Sequence, residues 1–241
     1  MSRSTFGLVV AAVAVATVAT LAFAAAGAAR PQAAAGYQPK IDPSKFTTKI
    51  TNPFMPLPVG TTHRYSGVRD GAPTEHVMTV TRQTRVVMGV RCVVVTDNVM
   101  QNQSLVEKTT DWYAQDSAGN VWYFGENTAE YQNGVVTTTA GTWEAGVDKA
   151  QPGIVMPAKP KVGQSFRQEY RPGVALDRAT VVSLAGVAHT PGGSFRHLVV
   201  TFDKNPLDPS KKEHKYFARG IGFVYALLQG GGHREVTRFV R

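Results

Sequence analysis

One spacing constrains this chain more than any other feature. Val59-Gly60 returns as Val162-Gly163, Arg64 as Arg167, and Gly89 as Gly192. Tyr113…Gly119-x-Val121-Trp122 returns as Tyr216…Gly222-x-Val224-Tyr225. Every pair lies 103 residues apart. The matches fall at turn glycines and strand aromatics, which are the landmarks of a fold. The spacing therefore predicts an internal duplication, a β-rich unit used twice. It constrains architecture and leaves chemistry open.

The local pattern agrees with that class. Glu75 to Thr81 alternates in polarity, Arg91 to Met100 is a strand-like run, and Asn133-Gly134 is a two-residue hairpin signal. Turn signals recur at Asp70-Gly71, Asp116 to Asn120, Thr190 to Gly193 and Gln229 to Gly232. No long amphipathic helix is visible after the N-terminal segment. The expected fold is all-β: two similar antiparallel curved-sheet units forming one domain, residues 59–139 and 162–241. Between them, 140–161 is rich in Gly and Pro and reads as a connector with its own apolar plug around Trp143. Ahead of them, 36–58 is an extended tether ending in Asn52-Pro53-Phe54-Met55-Pro56-Leu57-Pro58. Three prolines there forbid helix or central strand. Phe54, Met55 and Leu57 are expected to plug the edge of the core, and both plugs are candidate lids.

Residues 1–35 read as a secretory signal. Arg3 precedes an apolar run from Phe6 to Ala26, and small-residue cleavage options follow, the last at Ala33-Ala34-Ala35. The run is 21 residues long, and about 20 can span a bilayer, so membrane attachment follows only if the segment is not cleaved. Loss of the leader takes the formal net charge from +9 to +7. The positive charge is dispersed. It suits solubility, anionic envelope polymers or lipid headgroups, and it shows no basic stripe of the kind nucleic acid needs. Cys92 is the single cysteine, so no internal disulfide forms. Its neighbours Val90 to Val95 make it a small core residue rather than a nucleophile.

Two stretches carry a resemblance. Gly193-Ser194-Phe195-Arg196-His197-Leu198-Val199-Val200-Thr201, with Tyr216-Phe217-Ala218-Arg219-Gly220-Ile221-Gly222-Phe223-Val224, looks like a glycine-turn strand followed by a YxAxGxGxV hairpin of exported bacterial proteins. Asp111-Trp112-Tyr113-Ala114-Gln115-Asp116, continuing through Gly119-Asn120-Val121-Trp122-Tyr123-Phe124-Gly125-Glu126, is similar to a segment of a family of uncharacterised secreted or lipid-anchored proteins. The resemblance spans most of residues 50–240. It implies an exported β-rich fold and no activity. The lipidated cysteine of some members is missing.

The aromatic hairpin is the candidate binding surface: Trp112, Tyr113, Trp122 and Tyr123, with Trp143 from the connector. Exposed rings of this kind stack on sugars or line apolar grooves. Buried, they are simply the core of a β domain without disulfides. Alternation puts Trp122 and Phe124 on one face and Tyr123 on the other, and assigns Trp122 to the core with Tyr123 the less critical of the pair. Asp111 and Glu126 flank the hairpin and are the alternative acid/base candidates, because paired carboxylates around a sugar are glycosidase geometry. The six histidines form no compact metal pattern. Gly192-Gly193-Ser194 lacks the elbow of a serine hydrolase.

The reading is an exported, monomeric envelope or extracellular module, non-catalytic, without cofactor or metal. It holds an apolar or sugar-bearing ligand, lipid or glycan, in a concave sheet. A secreted hydrolase using Asp111 and Glu126 is one alternative, and a structural or protein-interaction module is another.

Overall fold

The computed structural model describes residues 36–230 and 232–241. The expected signal segment, 1–35, lies outside the described residues. Among the described residues, a 3₁₀ turn, Pro43–Lys45, leads into sixteen strands. The first eight are β1 (Phe46–Thr47), β2 (Thr62–Arg69), β3 (Ala72–Val87), β4 (Val90–Gln101), β5 (Ser104–Asp116), β6 (Val121–Gln132), β7 (Val135–Thr138) and β8 (Trp143–Glu144). The others are β9 (Gln151–Met156), β10 (Ser165–Arg167), β11 (Glu169–Tyr170), β12 (Arg178–Thr190), β13 (Gly193–Asn205), β14 (Asp208–Ala218), β15 (Gly222–Gly230) and β16 (His233–Phe239). All pairings are antiparallel, so the all-β expectation holds.

The strands form one continuous path, β10-β12-β13-β14-β15-β16-β2-β3-β4-β5-β6-β9-β11. Its two ends are neighbours in sequence. Residues 165–167 pair with β12, residues 169–170 pair with β9, and only Gln168 lies between. This segment stitches the sheet into a nearly closed barrel, the arrangement that best removes open strand edges. The seam needs Gly153. A Cβ there would sit 2.2 Å from the Gln168 carbonyl oxygen and 2.6 Å from that of Arg167.

The Pro-rich segment is a fixed plug rather than a free lid. Asn52 donates its side-chain amide to the carbonyls of Gly119 (2.9 Å) and Pro157 (3.1 Å), and Gly220 N–H donates to Pro53 O. Met55 and Leu57 are buried while Phe54 is only partly so. The 140–161 segment is likewise part of the sheet: β8 and β9 both pair with β6. Cys92 is buried, as its valine-rich context requires.

The offset of 103 carries β3, β4, β5 and β6 onto β12, β13, β14 and β15 in strand order. It does not carry register. Thr96 faces Thr110, but Val199 faces Phe217 rather than Glu213. Nor does it keep faces. Tyr113 is buried in the interior, whereas Tyr216 is half-buried on the outside, next to the inward-pointing Lys215 and Phe217. The expected residue-for-residue equivalence of these tyrosines is not observed, because the β13–β14 hairpin closes at a different register.

Candidate functional site

Alternation puts one side chain in two inside the barrel, and much of what it puts there is charged. Three carboxylate pairs are register partners on adjacent strands: Glu107 with Glu130, Asp111 with Glu126, and Asp203 with Glu213. All six are buried. Burying charge is expensive unless it is paired or neutralised, and the interior uses both routes. Lys215 Nζ lies 3.1 Å from Asp203 and 3.3 Å from Glu213. Arg69 Nε holds Glu235 at 2.6 Å, with Glu107 3.7 Å from its Nη2 and His76 3.6 Å from Glu235.

Neutralisation operates around the aromatic hairpin. Tyr123 donates its hydroxyl to Asp111 Oδ1 at 2.6 Å and stacks on Tyr113, the centroids 4.8 Å apart. Burial, partly offset by that hydrogen bond, pushes Asp111 up to about 8, and burial with repulsion from Asp111 raises Glu126 well above the carboxylate range. Glu169 and Asp177 are a second buried carboxyl pair, the charge of Asp177 adding to the burial of Glu169. Burial dominates both, holding Glu169 well up and Asp177 at about 8. Glu213 is raised to about 7, with burial outweighing the attraction of Lys215. Lys215 is raised because its acidic neighbours outweigh its burial.

The structure thus brings Asp111 and Glu126 together, as the flanking positions suggest, but inside the wall, with neither carboxyl exposed. Tyr113 and Tyr123 are buried with them, and Trp112 and Trp143 retain only 5% and 2% exposure. Trp122 is the exception. It is half-buried, donates its indole N–H to Asp116 at 2.8 Å, and meets Phe46 edge-on at 6.0 Å. The order expected for Trp122 and Tyr123 is therefore reversed. The reason is that both faces of β6 are covered here, one by β1 and the other by the barrel interior. The interior itself is filled. Its cavity beside Met55, Tyr65 and Lys215 and the one beside Asp177 and Lys211 each have about 20 Å³ of free space, room for about one water. Among the described residues, neither of these two interior cavities is an open ligand chamber.

Trp112 and Trp143 do meet at a surface groove. Gly125 makes this possible: its φ is +134°, and a Cβ would lie 2.3 Å from the Trp143 carbonyl oxygen, so only glycine lets β8 lie so close on β6. The groove encloses about 430 Å³ and is bordered by both tryptophans, Asn127, Thr142, and two ion pairs. Arg85 bonds Glu144 at 2.5 Å and covers the Trp112 ring at 4.3 Å, and Arg171 bonds Asp148 at 3.0 Å. Among the described residues the buried indole N–H of Trp143 has no hydrogen-bond partner, and the pairing of Trp143 with Glu126 puts that side chain on the interior side of the wall.

Sequence reasoning missed the interior charges outside the hairpin. Their signal is an i, i+2 row: Lys211, Glu213, Lys215 and Phe217 all point inward from β14. Read alone, such a row looks like a solvated face.

No protein-family model and no curated protein matches the chain. Among solved structures, it is similar to a Bacteroides fragilis protein with a YmcC-like fold, described as exported, at 14% identity and a TM-score of 0.44. It is also similar to a Parabacteroides distasonis protein described as a lipoprotein, at 11% identity and 0.43. Each match covers 78% of this chain and 97% of the other. Similarity at this level adds nothing to the site.

Proposed function

We propose that this is an exported, non-catalytic binding module of the envelope or extracellular space, and that it holds a sugar-bearing ligand in the groove at Trp112 and Trp143. The observation that carries the reading is the surface groove itself, about 430 Å³ beside the Trp112 ring with the Arg85 guanidinium laid over it. Two arginine–carboxylate pairs, Asn127 and Thr142 supply further polar contacts around the rings, the mix of apolar wall and placed polar groups that small-ligand sites use. The non-catalytic reading is supported by the burial of Asp111 and Glu126, since a glycosidase needs both carboxyls at one linkage. The leader sequence supports export, and the doubled strand order supports descent from one duplicated unit.

Calorimetric titration with neutral oligosaccharides tests the site. Asn127→Ala removes an exposed polar group from the groove wall, and Arg85→Ala uncovers Trp112. We expect the first to weaken binding and the second to change it, with little loss of melting temperature. Absence of glycan binding, or binding indifferent to both variants, would reject the reading.

A further inference from the structure

The outer face of the second half carries a ladder of like charges. Arg167 on β10 is the register partner of Arg178 on β12, Arg178 of Lys204 on β13, and Lys204 of Lys212 on β14. Directly paired residues project to one side of a sheet. Here that side is the outside, because Phe166, Ala179, Asp203 and Glu213, each next to a ladder residue in sequence, are buried. Four strands at about 4.8 Å separation place the four cations along a line of about 14 Å.

Like charges directly opposite one another destabilise a sheet; Arg167 alone of its pair with Arg178 is eased by lying over the rings of Tyr170 and Tyr37, at 4.9 and 5.3 Å. Among the described residues, none of the four cations is in an ion pair. The acids nearest in sequence, Asp177, Asp203 and Glu213, point inward. Asp208 lies 3.3 Å from Lys211 instead. Arg167 registers the strain: burial and the charge of Arg178 lower its pKa. Three of the four, Arg178, Lys204 and Lys212, border an open groove of about 610 Å³.

A second row runs beside the first. Ser165 pairs with Thr180, Thr180 with Phe202, and Phe202 with His214. The Ser165 and Thr180 hydroxyls are 2.8 Å apart, and Lys204 Nζ lies 5.1 Å from the Phe202 ring centroid. One row thus offers a line of positive charge, and the other offers hydroxyls and the Phe202 ring, which packs against the His214 ring at 4.9 Å.

We propose that this face binds a linear acidic polysaccharide laid across the strands, its carboxylates on the Arg167–Lys212 line and a sugar ring against Phe202. A chain with one carboxylate per sugar unit repeats its charge along its length, as the ladder does. The hydroxyl row suits sugar better than a bare polyanion. The site is separate from the groove at Trp143 and does not depend on it.

The test uses the full mature chain and three probes: oligogalacturonate, a neutral maltooligosaccharide of equal length, and polyphosphate. Oligogalacturonate should bind, weaken steeply as salt rises, and outcompete the other two. The triple variant R178Q/K204Q/K212Q should lose about tenfold or more in affinity and melt no lower than the wild type, because repulsion is relieved. Phe202→Leu should weaken the sugar and leave any residual polyphosphate binding unchanged. The proposal fails if oligogalacturonate does not bind, if the triple variant binds it normally, or if polyphosphate binds as well as the sugar. Asn127→Ala should leave oligogalacturonate binding intact, so failure here and failure of the neutral-glycan reading are separate outcomes.

Discussion

Asp111 and Glu126 face each other across β5 and β6 with no exposed surface, and the hydroxyl of Tyr123 closes on Asp111 at 2.6 Å. Two like-charged groups in such a place cannot both ionise cheaply. The pair keeps its protons at pH values where exposed carboxyls have lost theirs.

This sets an unusual pH dependence. In the unfolded chain these carboxyls ionise near pH 4. In the folded chain Asp111 and Asp177 are held to about 8 and Glu213 to about 7. Between those limits the unfolded state binds fewer protons, so stability falls as pH rises. The melting temperature should therefore drop from pH 5 to pH 8. The double variant D111N/E126Q should flatten the decline and exceed the wild type at pH 8. A melting temperature that climbs across this range would contradict the protonated interior.

Tyr123 should matter more than Trp122. Tyr123→Ala removes a fully buried ring that stacks on Tyr113 and meets Trp143 edge-on at 5.3 Å, and should lose about 3–5 kcal/mol. Tyr123→Phe keeps the ring and strips the donor from Asp111, for about 1–3 kcal/mol. Trp122→Ala, at a half-buried site, should fall below Tyr123→Ala. Urea denaturation of the three variants gives the ranking.

Gly153→Ala tests the closure. The added methyl would meet the backbone carbonyls of Gln168 and Arg167, which cannot retreat without separating β9 from β11. Loss of amide-exchange protection should appear first in residues 151–156 and 165–170. Uniform protection in this variant would mean the barrel is not held at that seam.

Cys92 should be inert in the native protein. Burial, with some repulsion from Glu144, pushes its thiol up to about 12, so little reactive thiolate forms at neutral pH. Maleimide should label it in denaturant and leave it untouched in buffer. Fast native labelling would show that β4 opens locally.

The sequence by itself determined the class and the punctuation. Alternation defines strands wherever one face is buried, and Gly, Pro and Asn-Gly mark turns through their own backbone preferences, so hairpins such as Asn133-Gly134 are legible locally. The plug at 52–58 was legible for the same reason, since proline excludes the alternatives. Tertiary structure decided what alternation leaves open: which of two faces is inside, and what a strand meets there. Period two is blind to the sign of the face, so Tyr113 and Tyr216 look equivalent in sequence and point in opposite directions in space. It is equally blind to closure. Once Gln168 joins the two ends of the sheet, one face of the strands on that path becomes interior. Lys215, Glu213 and Asp203 are then core, while Arg178, Lys204 and Lys212, each one residue away from an inward-facing neighbour, become a charged outer line. That assignment depends on register between strands distant in sequence, and no local window contains it.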